Sequence, residues 1–111
     1  MISSKAHYSK DPIQHIVCFK FKKHVCVGEI EKLKKSFISL QDKIPGIISI
    51  KGGINNSPEN LNKGFSHCFV IIFESNQART DYLPHPEHQR FVSQLKPLME
   101  DVFVIDFELK Q

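Results

Sequence analysis

The chain has 111 residues, 41% of them hydrophobic and 24% charged, with a formal net charge of +3. That describes one globular domain, long enough to bury a core without staples, and no run of about 18 apolar residues offers a membrane span. The lysines are spread out (Lys20, Lys22 and Lys23, then Lys32, Lys34 and Lys35), a solvated surface rather than the dense, aromatic-interleaved stripe of a nucleic-acid site.

Residues 1–11 form a polar tail. "MISSKAHYSKDP" has no apolar h-region, so it does not read as a signal peptide. Cys18, Cys26 and Cys68 are odd in number and lack CxxC spacing. Without an export signal they point to reduced thiols and a cytoplasmic protein. Cys18 and Cys68 lie in apolar strand-like runs, where a free cysteine behaves as a small hydrophobe.

The domain proper is expected over residues 12–111. "PIQHIVCFKFK" (12–22) reads as the first strand, with Ile13, His15, Val17, Phe19 and Phe21 on one parity. Ile16 and Cys18 make the other parity partly apolar, the pattern of a central strand covered on both faces. The period then changes. Ile30, Leu33, Phe37, Leu40 and Ile44 recur every three or four residues, which predicts an amphipathic helix over 27–44, ended by Pro45-Gly46.

"IISIKGGI" (47–54) is a short strand in which Gly52-Gly53 suggests a bulge or a close backbone approach. Residues 55–64 have loop chemistry. "FSHCFVIIFE" (65–74) is the strongest strand, with Phe65, His67, Phe69, Ile71 and Phe73 opposite Cys68, Val70 and Ile72.

Ser75 is placed to cap a short helix over 75–82. Pro84 ends that helix, because the residue before a proline avoids helical geometry. Pro86 suits the first position of a second helix, where its missing N–H costs nothing. Phe91, Val92, Leu95, Leu98 and Met99 supply that helix's apolar stripe, and Pro97 kinks or ends it. "DVFVIDFEL" (101–109) is the closing strand, with Phe103, Ile105, Phe107 and Leu109 on one side and Val102, Val104 and Asp106 on the other.

The order β-α-β-β-α-β is that of a ferredoxin-like α+β fold, with helices on one face of the sheet. The second face is also apolar, and leaving it wet would expose a large patch. A homodimer stacking two sheets face to face is therefore expected.

Taken together, "IQHIVCFKFK", "IPGI", "NKGFSHCFVIIFES", "DYLPHPEHQRF" and "DVFVIDFEL" resemble the stress-responsive dimeric α/β-barrel (Dabb) family from about residue 12 to 109. The resemblance implies a ferredoxin-like protomer that pairs into a barrel. Plant members are linked to stress response or defence, and one is a polyketide cyclase that closes an aromatic ring by intramolecular aldol condensation. His15, His67, Tyr82 and His88 match residues of that cyclase's pocket, and those matching His88 and Tyr82 are the ones credited with catalysis. A further pocket tyrosine falls at Phe37 here, which removes a hydroxyl and argues against the same substrate.

The residues themselves can support base chemistry. His88 would lie in the first turn of a helix, whose dipole disfavours imidazolium and leaves the neutral base. Tyr82 could donate to a developing enolate or alkoxide. The alternatives are a core tyrosine, a capping His85 and a gap-filling His88. His85 and His88 are not in the HExxH zinc arrangement, so neither a metal nor another cofactor is expected. His15 and His67 line a pocket with His88 if they face the helices, and an interface if they do not. The leading expectation is a homodimer whose apolar pocket takes a small hydrophobic or aromatic ligand. A cofactor-free lyase or cyclase, and a purely structural dimer, are the alternatives.

Overall fold

The structure is a computed structural model that describes residues 11–110. The expected polar tail, apart from Asp11, lies outside the described residues. The chain folds as β1 (Ile13–Phe21), α1 (Val27–Lys43), β2 (Ile47–Ile54), β3 (His67–Phe73), α2 (Asn76–Tyr82), α3 (Pro86–Leu95) and β4 (Met99–Glu108). The strands form one antiparallel sheet in the order β2-β3-β1-β4, the ferredoxin-like arrangement.

Strand alternation decides what is buried. Ile13, His15, Val17 and Phe19 of β1, with His67, Phe69, Ile71 and Phe73 of β3, point under the helices and are all buried. Leu33, Phe37 and Leu40 of α1 and Phe91 and Leu95 of α3 close the core over them. At its centre the Phe37 and Phe91 rings stack with centroids 4.4 Å apart. Both central strands are half-buried on their other face rather than covered by the protomer, because no helix of the described residues lies there. Val70 and Ile72 of β3 share that open face with Ile16 of β1 and with Phe103, Ile105 and Phe107 of β4. Each of the last three is about half exposed.

Several boundaries differ from the sequence pattern. β3 begins at His67 rather than Phe65, since Phe65 instead closes a turn onto the Asn62 carbonyl. β4 starts at Met99, because Phe21 pairs with Met99 after a register shift. The α3 helix stops at Leu95, before Pro97. The β2 irregularity falls between Ile47 and Ser49, not at the glycine pair. Gly52 is a close approach: a Cβ there would overlap the Phe69 ring and sit 2.7 Å from the Cys68 carbonyl oxygen.

Candidate functional site

The corner between α2 and α3 is built from local chemistry. Ser75 caps α2 by accepting from the Ala78 N–H. The helix ends at Tyr82, and His85 then caps α3, its Nδ1 accepting from the Glu87 N–H at 3.1 Å. Pro86 takes the first turn. These stops bring Tyr82 and His88 together, with ring centroids 4.1 Å apart.

His88 Nδ1 lies 2.9 Å from the Leu83 carbonyl oxygen. A carbonyl can only accept, so Nδ1 carries the proton and Nε2 is left as the basic nitrogen. Burial, aided by the neighbouring His15 and His85, lowers the His88 pKa, with the Leu83 hydrogen bond opposing. Tyr82 is 1% exposed, and burial raises its pKa, so the hydroxyl keeps its proton. No buried polar side-chain atom among the described residues lacks a partner. Among the described residues none hydrogen-bonds the Tyr82 hydroxyl, and Tyr82 borders an open space.

That space is a cavity of about 280 Å³, lined by His15, Phe37, Tyr82, His88, Phe91 and Val104 among others. Its wall is mostly carbon, with His15, His88, Tyr82 and Lys96 as the polar side chains. His15 Nδ1 lies 2.7 Å from Asp106 Oδ1, and Arg79 donates to the second Asp106 oxygen at 3.1 Å. The carboxylate fixes the His15 tautomer with Nδ1 protonated, while the guanidinium balances the carboxylate's charge. The sequence pattern did not single out Asp106 or Arg79. The only signal was an acidic residue on the same parity as Val102 and Val104 in an apolar strand.

His67 faces the same side of the sheet but is not in this cavity. Its partner across the ladder is Phe19, whereas His15 pairs with Ile71, so the two histidines lie roughly 13 Å apart along the strands. His67 is bonded to Ser66 Oγ at 2.8 Å and packs edge-on against Phe21. Phe37 lies between the two regions, lining the cavity and stacking on Phe91.

The stress responsive A/B barrel domain (Dabb) profile matches residues 13–109. The chain belongs to this family. The Arabidopsis thaliana stress-response A/B barrel domain-containing protein HS1 is 33% identical over 100 residues, covering 90% of this chain and 92% of the relative. Olivetolic acid cyclase of Cannabis sativa is 25% identical, covering 86% and 94%. A solved dimeric protein of unknown function and ferredoxin-like fold from Bacteroides fragilis is 26% identical. It superposes with a TM-score of 0.70 over 92% of this chain and 99% of that one. Within this Dabb domain the cavity lies between the sheet and the α2–α3 corner, on the face away from the exposed apolar strands.

Burial also gives the Dabb fold a pH response. Both His88 and His67 have folded pKa values lowered chiefly by burial, against about 6.5 in an unfolded chain. Above about pH 6.5 both states are neutral and stability is intact. As pH falls through that value the unfolded chain takes up protons first, so stability drops. Denaturant titrations between about pH 7.5 and 5.5 should show a falling unfolding free energy, and His88→Gln should flatten part of that slope.

Proposed function

We propose that this Dabb domain, spanning residues 12–111 after a polar tail, is a cytoplasmic stress-response-type homodimer. Each protomer binds one small, largely apolar or aromatic molecule in the cavity beside Tyr82 and His88. The observation that carries this reading is that Tyr82, His88 and the Asp106-held His15 all line one largely apolar space. A mostly carbon wall with a few placed polar groups is how small-molecule sites gain affinity and orientation together. At about 280 Å³ the space suits a ligand of one ring rather than several.

The dimer reading is supported by the exposed Phe103, Ile105 and Phe107 and by the dimeric Bacteroides relative. Native mass spectrometry against a panel of small aromatic and polyketide-like compounds tests binding. The expected result is occupancy of up to one molecule per protomer.

A second reading, a cofactor-free lyase or cyclase, is favoured by the protonation states. The site pairs a neutral base, His88 Nε2, with a protonated donor, Tyr82. The olivetolic acid cyclase likeness supports it too. In an aldol-type step His88 would take the α-proton while Tyr82 donates to the developing oxyanion. Exchange of the acidic α-proton of a bound β-dicarbonyl compound with deuterated solvent, followed by NMR, is the test. Wild-type protein should speed exchange and His88→Gln should lose at least about 100-fold of that rate. Equal rates in the two would leave a binding protein.

A further inference from the structure

Arg79, Asp106 and His15 make a chain of polar contacts that joins three elements. Asp106 of β4 stands in register with His15 of β1, and its Oδ1 accepts from the His15 Nδ1–H at 2.7 Å. Its Oδ2 accepts from the Arg79 guanidinium of α2 at 3.1 Å. Among the described residues none hydrogen-bonds the other ring nitrogen, His15 Nε2, and His15 lines the cavity. The other groups around the ring are Tyr82 of α2, with centroids 6.1 Å apart, Phe73 of β3 at 5.8 Å, and His88 of α3.

These charges decide what Nε2 can do. Neutral imidazole with Nδ1 protonated accepts at Nε2, whereas imidazolium donates there. A carboxylate left alone beside the ring favours imidazolium. Arg79 is permanently charged and already pairs with that carboxylate, so a proton on Nε2 would set a second cation against a single anion. The Arg79 and Asp106 side chains are 30% and 21% exposed, which spares the pair part of the screening that weakens surface ion pairs. The guanidinium also donates to Asn76 Oδ1 at 3.4 Å, one turn back on α2, so it is held from two sides. Tyr82 follows Arg79 by three residues, the spacing of one helix face. One ion pair thus ties the helix that carries Tyr82 to the strand that orients His15.

We propose that Arg79 is a positioning residue for the cavity: through Asp106 it keeps His15 Nε2 a hydrogen-bond acceptor, which selects a bound molecule for a hydroxyl or N–H group as well as an apolar body. Arg79 lies outside the cavity lining and acts only through the carboxylate. The selection of the ligand rests on the binding reading above, whereas the hold on His15 needs no ligand.

The test follows the His15 ring by NMR against pH in ligand-free protein, then titrates phenol and its methyl ether, anisole, at pH 7. Arg79→Met should raise the pH midpoint of the His15 ring by at least about half a unit. Arg79→Gln, which keeps an N–H donor without the charge, should raise it too, and Arg79→Lys should bring it back towards wild type. A residue that only stabilised the fold would lower the unfolding free energy without moving that midpoint. Phenol, which can donate, should bind Arg79→Met roughly threefold more weakly than wild type, and anisole, which cannot, should bind both alike. An unchanged midpoint in folded Arg79→Met and Arg79→Gln overturns the positioning role. Phenol binding that is equal in wild type and Arg79→Met overturns the selection by His15. Wild type that binds neither probe overturns the selection together with the binding reading, while the midpoint response alone decides the hold on His15.

Discussion

Tyr82→Ala is expected to lower the unfolding free energy by roughly 3–5 kcal/mol, whereas Tyr82→Phe should change it by less than about 1 kcal/mol. The difference follows from what each change removes. Tyr82 is among the most buried side chains, packed against Phe73 at 5.0 Å between centroids and against His88 at 4.1 Å. Deleting the ring leaves a hole that α2, held by its Ser75 cap, has little freedom to close. The hydroxyl has no hydrogen-bond partner among the described residues, so removing it orphans none of their groups. Tyr82→Phe should therefore fold normally yet bind ligand at least about 10-fold more weakly, the loss of one hydrogen bond in a dry site. Denaturant titration and binding on the same two variants separate a packing role from a contact role. Unchanged binding in Tyr82→Phe would assign the tyrosine to packing alone.

Ile105→Lys should convert the proposed dimer to monomer while leaving the protomer folded. Ile105 lies on β4 opposite Ile16, on the open face, and is 50% exposed in the protomer. The substitution therefore costs the isolated chain little. In a two-fold face-to-face dimer each interface receives two lysines among Phe103, Phe107 and Ile72. Desolvating those charges without partners costs at least roughly 3 kcal/mol, which weakens association about 100-fold or more. Sedimentation at micromolar concentration, with circular dichroism as the folding check, reads the outcome. A variant that stays dimeric would move the interface away from this face.

Much of the fold was legible because it is set by local rules. The helix stops at Pro84, the N1 proline at 86 and the caps at Ser75 and His85 depend only on neighbouring residues. Strand parity likewise put Ile13, His15, Val17 and Phe19 together. Less of the site could be read, because its geometry is non-local. His15 and Asp106 are 91 residues apart in sequence and meet only through the β1–β4 register. Parity alone could not say which face the helices would cover, so the sides of His15 and His67 were open. Nor could it show that His67 sits four residues along the ladder from His15, outside the cavity lining.

The cavity beside Tyr82 and His88 is expected to hold a small apolar molecule. Native mass spectrometry of wild-type and Val104→Trp protein, with the same aromatic panel, tests it most directly. Val104 lines the cavity from the edge strand and is half exposed, so an indole there can fill the space without disturbing Tyr82, His88 or the core. A compound should bind at up to one per protomer in wild type and be lost in Val104→Trp, with the oligomeric state unchanged. Occupancy that survives Val104→Trp undiminished, or no compound bound by an intact wild-type dimer, would contradict it.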